Sequence, residues 1–101
     1  MKQAKRELED APKEIISDIF ALFDALMAGK NLGMPISRPL PSIAKGLHEL
    51  RLSSRAGEYR VFYIIRVRDA IYVIHASSKK KQRVDRKTEE LLKTRIRSIG
   101  L

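Results

Sequence analysis

Residues 47–76 decide the fold: LHELRL (47–52), SSRAG (53–57), EYRVFYIIR (58–66), VRD (67–69) and AIYVIHA (70–76). Alternating runs rich in β-branched and aromatic residues are strand chemistry, because successive side chains point to opposite faces. In the first run His48, Leu50 and Leu52 share one face, and Leu47, Glu49 and Arg51 share the other. In the second, Tyr59, Val61, Tyr63 and Ile65 oppose Arg60, Phe62, Ile64 and Arg66. In the third, Ile71, Val73 and His75 alternate against Tyr72 and Ile74. Residues 53–57 read as a hairpin loop and residues 67–69 as a short turn. The pattern predicts an antiparallel three-strand meander. Apolar residues on both faces of the second and third runs predict that these two are central.

Upstream, Ile15, Ile19, Leu22 and Leu26 recur at helical spacing, and Ile16, Phe20, Phe23 and Met27 widen the stripe. Asp10 is the expected N-cap, Pro12 sits in the first turn and Gly29 marks the C-terminal end. Ala4 and Leu8 extend the stripe, either within this helix or in a short one before it. Residues 30–46 carry Gly33, Pro35, Pro39, Pro41 and Gly46. They read as a structured connection with room for one short helical turn, pinned to the core by Leu32, Met34, Ile36, Leu40 and Ile43. Downstream, Asp85 is expected to cap a last helix whose stripe is Leu91, Leu92, Ile96 and Ile99, with Gly100 at its end. Arg86, Lys87, Lys93, Arg95 and Arg97 are expected to form its solvated face. The whole reads as one α+β domain over residues 1–101: an N-terminal helix or helices packed on a short twisted antiparallel sheet, then a C-terminal helix.

The 101 residues are 44% hydrophobic and 33% charged, enough for a small core and too apolar for a disordered chain. The net charge of +9 is uneven. Residues 1–50 hold 7 basic and 7 acidic side chains, whereas residues 51–101 hold 14 basic and 5 acidic. That asymmetry points to a polyanion or an acidic protein as partner. With no Cys, a disulfide framework, a thiolate metal site and a Cys nucleophile are excluded. No apolar run is longer than Val61 to Ile65, which is too short to span a membrane, and the N-terminus does not read as a signal peptide. The cytoplasm fits best.

The strongest chemical signal is Ser77-Ser78-Lys79-Lys80-Lys81-Gln82-Arg83, directly after the third strand run. It reads either as a solvated basic loop or as lysines held in place beside a phosphodiester. Arg51 and Arg60 flank the first hairpin, and the antiparallel return of the third strand brings the chain back toward the same end. The meander is thus expected to converge Arg51, Arg60, Lys79 and Lys80. The plainer alternatives are a strand-end Arg60 with its head in water and an Arg51 paired across strands with Glu58. His75, late in an apolar strand, reads as a half-buried, hydrogen-bonded residue, with a role as acid, base or orienter open. His48 reads as structural. Two histidines on separate strands without paired carboxylates make no metal site, and there is no Gly-rich phosphate loop. Tyr59 and Tyr63 are expected to face the core, which leaves no stacking platform for single strands.

Three segments carry a resemblance: Gly46-Leu47-His48-Glu49-Leu50-Arg51-Leu52, Tyr59-Arg60-Val61-Phe62-Tyr63, and His75-Ala76-Ser77-Ser78-Lys79-Lys80-Lys81-Gln82. In this order and spacing the chain resembles the RelE/HigB toxin superfamily, most closely its HigB-like, phage-associated branch, from about Asp10 to the last helix. The resemblance implies the toxin of a type II toxin–antitoxin module, neutralised by a cognate antitoxin. It implies an mRNA endoribonuclease (an mRNA interferase) that acts on the ribosome without a metal or other cofactor, by attack of the 2′-hydroxyl on the adjacent phosphate. By position, Arg60 matches the strand arginine that stabilises phosphate charge, Arg51 a basic position on the preceding strand, and Lys79 and Lys80 the basic pair after the last strand. His75 stands as an accessory catalytic residue, and Arg55, Lys81 and Arg83 as RNA contacts. The chain departs from the family pattern by entering a helix without a preceding strand and by carrying Ser77 where the branch often has an aromatic. The same superfamily includes ParE-like gyrase inhibitors, so a gyrase target and a non-catalytic basic RNA- or ribosome-binding module are the alternatives.

Overall fold

The computed structural model describes residues 2–29, 36–54, 57–66, 70–78 and 84–99. The element order is α1 (Lys2–Glu9), α2 (Lys13–Met27), β1 (Ser37–Pro39), β2 (Leu47–Ser54), β3 (Gly57–Arg66), β4 (Ala70–Ser78) and α3 (Arg86–Ser98). The α+β class and the meander are as expected, but the sheet has four strands in the order β1-β2-β3-β4.

The added strand comes from the Pro-rich connection. Ser37, Arg38 and Pro39 pair with Leu50, Glu49 and His48. Pro39 is tolerated because β1 is an edge strand and its missing N–H faces no partner strand. Residues 40–47 then close through turn bonds, among them Ala44 N to Leu40 O at 3.3 Å. Leu40 is buried, but Ile36 is exposed and does not pin the segment. The inward residue is Ser37, whose hydroxyl lies 2.8 Å from that of buried Tyr63. Leu32 and Met34 lie outside the described residues.

The extra strand makes β2 and β3 central and leaves β4 at the edge, contrary to the sequence expectation. The pattern misleads because β4 is covered on both faces by helices. On one face Ala11, Ile15 and Ile19 pack on Leu50, Leu52, Val61, Tyr63 and Ala76. On the other, Leu92 and Ile96 of α3 pack with Leu40, Leu47, Phe62, Ile64 and Ile74. A strand between two apolar layers shows apolar residues on both sides wherever it lies in the sheet.

Helix boundaries follow backbone chemistry. The N-cap of α2 is Pro12, without a side-chain cap, and Asp10 belongs to the turn that ends α1: its N–H reaches Arg6 O at 3.0 Å. Proline's fixed φ starts a helix without needing a capping carboxylate. Gly29, at φ 84°, ends α2 as expected, since only glycine takes that conformation freely. Asp85 caps α3 by accepting from Thr88 N at 2.8 Å. Phe20 and Met27, expected to widen the apolar stripe, are exposed on the outer face of α2. Gly100 and the 67–69 turn lie outside the described residues.

The Ser37–Tyr63 bond is the polar tie of the edge strand to the core. Tyr63→Phe is expected to cost about 1–2 kcal/mol, because it strands a buried hydroxyl. Urea unfolding of Tyr63→Phe, Ser37→Ala and the double variant checks this. The double is expected to lose less than the sum of the singles.

Candidate functional site

Cross-strand register writes the site onto the α3 side of the sheet. Arg51 of β2 stands opposite Arg60 of β3, and Arg60 opposite Ser77 of β4. One step along, Glu49 faces Phe62 and Phe62 faces His75. The sequence thus brings Arg51 and Arg60 together as expected. The plainer alternative for Arg60 fails. Arg60 is not a strand-end head in water, since its side chain is only 7% exposed. Glu58 is in register with Ser53 rather than with Arg51.

Two guanidinium groups directly opposite each other would repel, and Glu49 answers that repulsion. Its carboxylate is 1% exposed. Arg51 Nε donates to Oε1 at 2.9 Å, and Arg60 Nη1 lies 3.6 Å from Oε2. The second distance is an ion pair without a hydrogen bond, so Glu49 Oε2 and Arg60 Nε and Nη1 are buried with no hydrogen-bond partner. The Arg60 guanidinium is otherwise supported by the Phe62 ring, with Cζ 5.4 Å from its centroid.

His75 enters this cluster through a register shift. A β-bulge opposite Phe62 and Tyr63 makes Phe62 pair with His75 but Tyr63 with Val73. The extra residue breaks the expected alternation, and His75 moves off the Ile71–Val73 face. Its ring stacks on Phe62, with centroids 5.8 Å apart and planes at 14°. Its Nδ1 lies 2.9 Å from Glu7 Oε2. His48 stacks on Tyr63 at 5.4 Å and plays the structural part expected of it.

The sequence reading missed Glu49, Glu7 and Arg95. Glu49 was visible in principle: an acid on a central strand, on the same face as Leu47 and Arg51. Arg95, expected on the solvated face, falls between Leu92 and Ile96 on the helical stripe and is half-buried. It binds Glu7 through both terminal guanidinium nitrogens, Nη1 and Nη2, at 2.7 and 3.2 Å. Nothing local marks Glu7, whose carboxylate partners lie 68 or more positions away. Arg55, Lys79, Lys80, Lys81 and Arg83 lie outside the described residues. β4 leaves the sheet at Ser78, opposite Tyr59, and Lys79 is the next residue in the chain. Among the described residues no group of three or more His, Cys, Asp or Glu is placed to hold a metal ion, and no helix is long and apolar enough to cross a membrane.

Fold and cluster together define a small basic α+β domain with an arginine pair built into a sheet. The chain belongs to the phage-derived Gp49-like family (DUF891), whose profile matches residues 6–97. This is a toxin–antitoxin-associated family of RelE/HigB-like toxins. No curated protein matches the chain.

Burial alone would raise the Glu7 carboxyl, but hydrogen bonds from Arg95 and His75 outweigh it and hold the group below its ordinary 4.5. Burial holds His75 below its ordinary 6.5, with Glu7 opposing and Arg95 and Arg60 adding to the depression. In both cases the unfolded chain binds the proton more readily, so acid favours unfolding. The His75 contribution begins to fade as pH falls through 6.5, and that of Glu7 fades below 4.5. Thermal melts are therefore expected to fall between about pH 7 and pH 5, with a shallower fall in His75→Asn.

Glu49→Gln is expected to cost about 3 kcal/mol in urea unfolding, because it leaves the buried Arg60 charge without its counter-charge. Arg51→Ala costs less, since Arg51 is the more exposed partner and its loss leaves Glu49 still facing Arg60.

Proposed function

We propose that the chain is the toxin of a type II toxin–antitoxin module, in the HigB-like, phage-associated branch, and that it cleaves mRNA on the ribosome without a metal. The observation that carries this reading is the Arg60 guanidinium: buried, fixed between Glu49 and Phe62, and with no hydrogen bond from Nε or Nη1. Arg51 stands opposite it on the neighbouring strand. A buried arginine with unused donors stabilises an anion strongly, because its position is set before the anion arrives and little water competes.

In this reading the two arginines take the non-bridging oxygens of a phosphodiester. The 2′-oxygen forms a bond to phosphorus as the bond from phosphorus to the 5′-oxygen breaks. The products are a 2′,3′-cyclic phosphate and a 5′-hydroxyl. The 2′-hydroxyl proton passes to a base on the protein, and the leaving 5′-oxygen takes a proton from an acid. Lys79 and Lys80 fill the role that the resemblance gives the basic pair, and crowding among cations makes lysine a better proton donor. Arg55, Lys81 and Arg83 hold the RNA backbone. The partner that silences the chain is an antitoxin with an acidic segment for the arginine surface. The work is done in the cytoplasm, where the ribosomes are.

The test maps mRNA 5′ ends after adding the chain to translating and to idle ribosomes. Cuts are expected on translated messages alone. Arg60→Ala, and Lys79→Ala with Lys80→Ala, are each expected to slow cutting by roughly 10²-fold or more. Arg60→Lys keeps a charge beside Glu49 and separates folding from chemistry. Intact mRNA with broken DNA would sink this reading in favour of a gyrase target, and binding without cleavage would leave a basic RNA- or ribosome-binding module.

A further inference from the structure

Three elements far apart in sequence meet at the His75 ring. Glu7 of α1 accepts four hydrogen bonds there: from Arg95 Nη1 at 2.7 Å, Arg95 Nη2 at 3.2 Å, the Ala76 backbone N–H at 3.3 Å and His75 Nδ1 at 2.9 Å. Arg95 Nη1 also donates to the Ile74 carbonyl at 3.1 Å. The carboxylate is therefore fixed from two sides, by the edge of β4 and by α3. The ring it touches stacks on Phe62, and Phe62 in turn lies against Arg60.

This geometry decides the tautomer of His75. An ionised carboxylate only accepts, so the 2.9 Å contact requires a proton on Nδ1. Arg95 Nη1, 3.3 Å from the same nitrogen, has Glu7 and Ile74 as its better acceptors. A neutral ring protonated on Nδ1 keeps its lone pair on Nε2.

We propose that Glu7 is a positioning residue for His75: it holds the Nδ1 proton so that Nε2, one ring away from Arg60, is the base that takes the 2′-hydroxyl proton. The inference rests on the cleavage reading above and names a group for its first proton transfer. The hydrogen-bonded carboxylate fixes the ring and raises its basicity, as outer partners do for other working histidines. The charged groups facing the ring are Glu7 from α1, Arg95 from α3 and Arg60 from β3. Burial and both arginines disfavour the protonated ring, so it stays available as a base near neutral pH, while Glu7 keeps it from becoming too weak a one.

Two measurements test this. Nitrogen NMR of the unaltered full chain at neutral pH is expected to show His75 protonated on Nδ1, and this needs no variant to fold. In Glu7→Gln the His75 titration is expected to move to lower pH, and the acid limb of the cleavage profile to move with it. The plateau rate is expected to fall roughly tenfold or more. A His75 protonated on Nε2, or an acid limb that stays put in a folded Glu7→Gln chain, overturns the dyad while leaving the cleavage reading intact. A chain that cuts no translated message overturns the cleavage reading, and the use of the dyad as a base falls with it.

Discussion

Glu7 is the point on which the architecture turns. A four-stranded sheet covered on both faces still has an open edge at β4, and an edge strand exposes unpaired backbone groups. Helix α1 closes that edge, and Glu7 supplies the acceptor for the Ala76 N–H. The same carboxylate takes Arg95, which ties α3 on the far face to α1. An eight-residue helix has too few turns to be stable by itself. Its place is set by this ion pair, by buried Ala4 and by the Tyr59 hydroxyl, which donates to the Glu7 carbonyl at 3.2 Å.

The second polar cluster follows a different logic. Glu49 and Arg60 are both nearly sealed from water, and burying two charges costs more than their attraction returns unless the hydrogen bonds are good. Here they are incomplete: the carboxylate is satisfied on the Arg51 side and left 3.6 Å short on the Arg60 side. An apolar pair of similar volume would hold the sheet at least as well. The cost therefore makes sense as the cost of a cation whose position is set in advance, which is what the proposed chemistry needs.

What could be read from sequence was what alternation and spacing encode. The strands of residues 47–76, the α2 and α3 stripes, the Asp85 cap and the meeting of Arg51 with Arg60 all followed from period and register. Four features did not. The three residues of β1 are too few to show a period and contain a proline. The edge position of β4 was hidden because helices cover both of its faces. The bulge that turns His75 toward Phe62 is one inserted residue that no pattern marks. Glu7 and Arg95, 88 positions apart, meet only when both faces of the sheet are dressed. Local chemistry writes elements into the sequence, whereas the pairing of isolated charges is a property of the assembled layers.

The charge asymmetry then separates into two parts with different physics. Lys87 and Arg97 are exposed on α3, where Arg86 and Lys93 are offset by Glu90 and Glu89 at 3.6 and 3.1 Å. Such exposed cations attract a polyanion from a distance, and salt screens them over roughly 10 Å at 0.1 M. Arg60 is sheathed by protein, so salt screens it far less, but its field is reduced by Glu49 and reaches only what comes into contact. Arg51, Arg60 and Glu49 sum to a single positive charge, and Glu7 with Arg95 sums to zero. Long-range attraction and local chemistry are therefore carried by different residues. The net charge of +9 describes the first and says almost nothing about the second.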